Sequence, residues 1–318
     1  MHIAFLKIMS NTVIEVKNLF KSFGKHIIFD GASVSIEAGR VFGLVGLNGS
    51  GKTTLIRLLL GLLRPDQGSI LVLGFDPWQH KAEYFRQLGV ILDSDGFAGN
   101  MTVAQNLKIF AEAKRMTWRQ VEEYVDEFWH DTFIAGEIRG GRKKVKLLSR
   151  GQKMQCGICR AFLSWPAAYF LDEPMVALDV DASEHFYRLV KRAQSRGSTI
   201  LISSHQLQAI EELCDAVGML HNRSISILKS GAEEASPKPW FVRCGGEEKF
   251  GKVIESICGL PPVYNDGSWH FTVLEPETAV PRIVSGLVAA GCDIAEVGPE
   301  TDNLKDRMRT HYRDAKGK

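Results

Sequence analysis

Eight consecutive residues constrain this chain more than any others. Gly46-Leu47-Asn48-Gly49-Ser50-Gly51-Lys52-Thr53 spell G-x-x-x-x-G-K-[ST]. Before them runs Val41-Phe42-Gly43-Leu44-Val45, with the length and composition of a buried strand. After them Thr54-Leu55-Ile56-Arg57-Leu58-Leu59-Leu60 reads as a helix ending near Gly61. The glycines permit turns that a side chain would block and bring backbone N–H groups against an anion. The helix behind them directs its positive end at the same point. Lys52 can reach the β- and γ-phosphates of a nucleotide, and Thr53 can ligate Mg²⁺. Chance produces such a pattern in roughly one chain of this length in a hundred. Strand, glycine loop and helix is also the order a phosphate site requires. The segment predicts nucleotide binding.

Length and composition set the frame. At 318 residues the chain has room for about two domains. Its 45% hydrophobic and 24% charged residues are ordinary for a globular protein, and a net charge of +2 argues neither for nor against nucleic acid. No stretch approaches the ~20 apolar residues that span a bilayer. The opening Met1-His2-Ile3-Ala4-Phe5-Leu6-Lys7 lacks the basic start and long apolar centre of a secretory signal, and Met9 is an alternative start. Six cysteines are scattered through the chain. Cys156 and Cys159 form a C-x-x-C, but no second pair or nearby His completes a metal site, so they read as reduced core thiols.

Further runs extend the frame. Ile14 to Leu19 and Ser33 to Ile36 alternate like strands, and residues 101–164 look helical. Strand-like runs return at Ala168-Tyr169-Phe170-Leu171, Thr199-Ile200-Leu201-Ile202-Ser203 and Ala216-Val217-Gly218-Met219-Leu220, separated by helical stretches near 183–195 and 206–213. The alternation predicts an α/β fold with a mostly parallel sheet covered by helices. Composition shifts after Leu228. The divisions expected are an extension at 1–12, a nucleotide-binding domain at 13–232 with a helical subdomain near 97–165, a linker at 233–239, and an accessory α+β domain at 240–318.

Two more elements belong with the glycine loop. Tyr169-Phe170-Leu171-Asp172-Glu173-Pro174 is an apolar strand ending in two acids. Beside the loop strand, Asp172 would face a metal while Glu173 orients and deprotonates the attacking water, help worth about 10²–10⁴-fold. Leu148-Ser149-Arg150-Gly151-Gln152 precedes a predicted helix. It offers a hydroxyl, an open backbone and a helix dipole to a second phosphate site, or an ordinary N-cap and turn.

Over residues of about 13 to 230 the chain resembles an ATP-binding cassette (ABC) ATPase, a P-loop NTPase. The matching elements run in order: Lys21-Ser22-Phe23-Gly24, GLNGSGKTT, LSRGQ, YFLDEP, Ala177-Leu178-Asp179 and Ser203-Ser204-His205. The ordered set is far more specific than any member. The resemblance implies that Gly46, Asn48, Gly49, Ser50, Gly51, Lys52, Thr53 and Thr54 hold ATP and that Phe23 stacks on adenine, a contact of about 1–3 kcal/mol. Lys52, Glu173 and His205 would carry hydrolysis, with His205 on the γ-phosphate. Thr53 and Asp172 would hold Mg²⁺, joined by Asp93 where the family places a Gln. Ser149, Gly151, Gln152 and Asp179 would meet the nucleotide and seam of a second subunit.

One cassette per chain implies a homodimer as the simplest assembly. The resemblance is nearest to ATPases of multicomponent efflux systems. It implies membrane-spanning partners on separate chains, a cytoplasmic position on the inner face of the membrane, and no nucleic acid. A soluble ABC ATPase acting on ribosomes or chromosomes is the alternative, but such proteins carry two cassettes or long coiled coils, absent from this sequence. A module that binds ATP without turnover is opposed by Lys52, Asp172, Glu173 and His205. Residues 139–146 are strongly basic, a run read as a solvated loop because no aromatic residues interleave it.

Overall fold

A computed structural model describes residues 11–79, 81–92, 96–229 and 238–299. The chain divides into two compact units, Met1–Lys229 and Ser230–Lys318. In the first, β1 (Thr12–Phe23) and β2 (His26–Glu37) form an antiparallel pair, followed by β3 (Val41–Gly46), α1 (Lys52–Leu59), β4 (Gln67–Val72), α2 (Lys81–Arg86) and β5 (Leu88–Ile91). Four helices come next: α3 (Val103–Ala113), α4 (Trp118–Phe128), α5 (Phe133–Ile138) and α6 (Arg150–Phe162). The unit closes with β6 (Ala168–Asp172), α7 (Val180–Ser195), β7 (Thr199–Ser203), α8 (Leu207–Leu213), β8 (Ala216–His221) and β9 (Ser224–Lys229).

Two sheets result. One is antiparallel, in the order β2-β1-β4; the other runs β5-β6-β7-β3-β8-β9 and is parallel except at the β8–β9 edge. Every residue of β3, β6 and β7 is buried, the signature of parallel strands covered on both faces. Uniform burial also hides their order. The sequence placed the strand of Asp172 beside the loop strand, yet β7 lies between β6 and β3. Strands that are apolar on both faces carry no periodicity that would say which neighbours which. In the antiparallel sheet the alternation is plain, with Ile14 and Val16 buried on either side of Glu15.

Three of the four helices between β5 and β6 start by one recurring device. Thr102, Thr117 and Ser149 cap α3, α4 and α6, and each exchanges hydrogen bonds with a Gln three residues on, satisfying two orphan backbone donors at once. Val121, Tyr124, Val125 and Trp129 bury the inner face of α4 and its end. Cys156 and Cys159 sit buried in α6.

The second unit comprises β10 (Lys238–Arg243), α9 (Glu248–Cys258), β11 (Val263–Asn265), β12 (Ser268–Val273), α10 (Pro276–Ala289) and β13 (Glu296–Pro299). Its sheet is antiparallel in the order β11-β12-β10-β13. That is a split βαβ arrangement. Val242, Ile254, Trp269, Phe271, Ile283 and Leu287 are among the side chains that fill its core. Lys238 and Pro239, assigned to a linker from the sequence, begin β10; the rest of that linker lies outside the described residues. Among the described residues no helix is long and apolar enough to cross a membrane.

Candidate active site: the phosphate loop and its carboxylates

The loop between β3 and α1 is built on glycine. Gly49 has φ +79° and Gly51, the N-cap of α1, has φ +109°, a region where a side chain is strained. A Cβ on Gly46 would come 2.6 Å from Ser50 Oγ and 2.9 Å from Leu220 O. The helix α1 begins with no side-chain cap and no acid in its first turn, which leaves its positive end to an anion. The Lys52 side chain turns back over the loop, and Nζ donates to Gly46 O at 2.8 Å and Leu47 O at 3.3 Å. Lys52 is only 8% exposed and has no acidic partner among the described residues. Ser50 Oγ is buried without a hydrogen-bond partner. A buried ammonium and a buried hydroxyl of this kind call for an anion that accepts hydrogen bonds. A triphosphate fits both.

Beside the loop stand the two acids. Thr53 Oγ1 donates to Asp172 Oδ2 at 2.7 Å, joining α1 to the end of β6 across 119 residues. Asp172 is 2% exposed, and its second oxygen accepts from the Ser203 hydroxyl. Thr53 Oγ1 and Asp172 Oδ2 thus present adjacent oxygens, the donor type that a hard divalent cation takes. Glu173, one residue on, adopts φ +49°. For a residue with a side chain that conformation costs about 1–3 kcal/mol and marks functional sites. Its amide donates to both the carbonyl and the hydroxyl of Ser203, each at 3.1 Å. Its carboxylate Oε2 lies 2.8 Å from His205 Nδ1 and accepts from the His205 amide at 3.4 Å. Asp93, the remaining residue assigned to the metal, lies outside the described residues.

The LSRGQ segment does something quieter within the single chain. Ser149 caps α6 by accepting from Gln152 N at 3.1 Å, while Gln152 Oε1 accepts from Ser149 N at 3.1 Å. Among the described residues no hydrogen bond joins Ser149, Gly151 or Gln152 to the phosphate loop. Gly151 packs on the loop after Glu173, where a Cβ would stand 2.6 Å from Ala177 O. Asp179 ends that loop as the N-cap of α7, its Oδ1 accepting from Ala182 N at 2.8 Å. Signature and loop are therefore neighbours.

Phe23, at the end of β1, is 48% exposed, so its ring is a surface and not a core side chain. Lys21 Nζ lies 5.3 Å from the ring centroid. Lys21 is tied in turn to Asp66 at 2.8 Å, and Asp66 accepts from the amide and hydroxyl of Ser22. The hydrogen bond from Lys21, and then those from Ser22, hold the Asp66 carboxyl down to about 2. Sequence reasoning missed Asp66, which sits in no recognisable pattern and acts through partners distant in the chain, and it named Ser203 within Ser203-Ser204-His205 without giving it a role.

Comparison with known proteins identifies the cassette. The ABC transporter family matches residues 29–176. The bacitracin transport ATP-binding protein BcrA of Bacillus licheniformis is 36% identical over 212 residues, 66% of this chain and 67% of that protein. The Nod factor export ATP-binding protein I of Bradyrhizobium diazoefficiens is 34% identical over 232 residues, 73% of this chain and 72% of that one. Likeness to the ABC transporter ATP-binding protein YdbJ of Bacillus subtilis extends over 94% of this chain and 95% of that one, at 28% identity. A solved ATP-binding subunit of an ABC transporter superposes with a TM-score of 0.63 at 26% identity, covering 68% of this chain and 90% of its own. With the cassette matched at this level, the chain belongs to the ABC transporter family, as an ATP-binding subunit that hydrolyses ATP.

Proposed function

We propose that this subunit powers export through membrane-spanning subunits on separate chains, and that two copies close around two Mg-ATP molecules. Residues 46–54 cradle the phosphates, Lys52 leaves the loop carbonyls for the β- and γ-phosphates, and Phe23 stacks on adenine. Thr53 and Asp172 would hold Mg²⁺, which when bound would supply charge neutralisation to the phosphates. His205 moves from the Glu173 carboxylate to the γ-phosphate. Glu173, released, orients a water and takes its proton as the water oxygen attacks phosphorus; ADP and phosphate leave. Ser149, Gly151 and Gln152 of one copy meet the nucleotide on the phosphate loop of the other, and Asp179 lies at the seam. This gives LSRGQ a task that its single-chain capping role leaves unexplained.

The observation that carries the reading is the Thr53–Asp172 hydrogen bond, with Glu173 paired to His205 beside it. A structural acid pair needs neither. Export follows from the relatives' printed roles in bacitracin transport and Nod factor export. The subunit would sit at the inner face of the membrane through its partners, without nucleic acid. The test is ATP turnover by the subunit co-purified with its membrane partner. Glu173→Gln is expected to abolish turnover while keeping ATP binding, and Lys52→Ala to lose binding. Unchanged turnover in Glu173→Gln would remove the proposed general base.

A further inference from the structure

The strand β7 supplies a side chain that touches both working carboxylate residues. Asp172 and Ser203 are register partners on β6 and β7. Ser203 is fully buried, and its hydroxyl donates to Asp172 Oδ1 while accepting from the Glu173 amide at 3.1 Å. A hydroxyl has one proton to give and lone pairs to receive. Here both capacities are used, one toward the metal-side acid and one toward the base. Thr53 holds the other Asp172 oxygen at 2.7 Å, so the carboxylate is gripped at both ends. The grip on Glu173 lies at its amide, where the chain turns into φ +49°; the amide is shared between the carbonyl and the hydroxyl of one residue.

We propose that Ser203 is a positioning residue for hydrolysis: its hydroxyl fixes the Asp172 carboxylate for the metal and the backbone of Glu173 for the water. This rests on the catalytic reading above. A buried Ser without partners would cost stability; at this point both capacities of the hydroxyl are met by Asp172 and Glu173. Nothing in the proposal requires Ser203 to touch nucleotide, so ATP affinity separates positioning from binding.

Ser203→Ala is the test. Losing a hydrogen bond to a charged acceptor is expected to lower kcat about tenfold or more, with KM for ATP within about twofold. Ser203→Thr, which keeps the hydroxyl, is expected to recover most of kcat. A second readout avoids turnover: in a Glu173→Gln background, the Mg²⁺ concentration giving half-maximal ATP-dependent dimer should rise about fivefold on adding Ser203→Ala. If the alanine variant does not fold, Ser203→Cys, with a weaker donor, reports the same two quantities. Unchanged kcat and Mg²⁺ requirement would overturn the proposal, as would a rise in KM matching the fall in kcat. A Glu173→Gln protein that never dimerises with ATP would refute the paired-subunit reading instead.

Discussion

Replacing Gly51 by Ala tests how tightly the phosphate loop is specified. Gly51 has φ +109°, so any Cβ there incurs backbone strain of about 1–3 kcal/mol. The added carbon would also lie 2.8 Å from Ile28 Cγ2 and 3.1 Å from Phe29 Cζ. The Ile28 methyl can move, whereas Phe29 is fully buried, which adds about 1 kcal/mol of overpacking. The native loop should therefore cost about 2–4 kcal/mol more than in the parent. The loop can escape by relaxing locally, so thermal stability should fall by less than the full cost. Binding cannot escape, because the phosphates need the native amide arrangement. At 1.4 kcal/mol per decade, ATP affinity should drop about 30- to 700-fold, measured by calorimetric titration. Gly74→Ala is the control: φ is +76° there, but nothing lies within 4 Å of the added carbon. It should lose a little stability and keep its ATP affinity. Gly51→Ala binding ATP within threefold of the parent would refute the reasoning.

Asp66 predicts a pH dependence. Its carboxyl is held at about 2, chiefly by Lys21 and then by Ser22, below its ordinary value of 3.8. A depressed carboxyl stabilises the fold above its unfolded pKa and loses that contribution as pH falls through its folded one. The tie to Lys21 and Ser22 should therefore hold at neutral pH and fail between about pH 4 and 2, read by fluorescence of an adenine analogue stacked beside Phe23. Asp66→Ala should weaken that stacking at neutral pH and remove this pH dependence. Trp129, 2% exposed and with its ring tilted against that of His185 at 4.4 Å, anchors the end of α4. Trp129→Ala should cost about 3–5 kcal/mol in chemical denaturation, with the phosphate loop's ATP affinity preserved in the folded fraction. His205→Ala should remove the proposed contact to the γ-phosphate and lower kcat more than it raises KM, in steady-state turnover.

Some of this was legible in the residues and some was not. The strand, loop and helix around Lys52 announce themselves because phosphate binding demands glycine at fixed intervals. The apolar runs of β6, β7 and β8 are equally plain. Their order was hidden, since strands buried on both faces look alike. The strand β4 escaped notice because only Ile70 and Val72 of its six residues are buried and Gly68 takes φ +94°. β9 went unseen as well, an antiparallel edge whose Ile225 and Leu228 are buried while Ile227 is exposed. In the site, Asp172 and Glu173 stood out as acids at a strand end. Ser203 was visible only as part of Ser203-Ser204-His205, with no task of its own until the partner strand supplies Asp172. Asp66 lies 44 residues from Ser22 and could be matched to it only by folding. In the accessory unit β11 and β13, three and four residues long with none buried, carry no period, and the strand order depends on pairings between such short segments that hold little register information.

The most direct test is the mass and nucleotide content of the Glu173→Gln protein in Mg-ATP, by light scattering and quantitation of bound nucleotide. The account predicts a dimer holding two ATP molecules, which reverts to monomer when Ser149 is replaced by Arg to block the signature face. A protein that stays monomeric with ATP bound, or a dimer indifferent to the Ser149 change, would contradict a shared site made from one copy's phosphate loop and the other's LSRGQ.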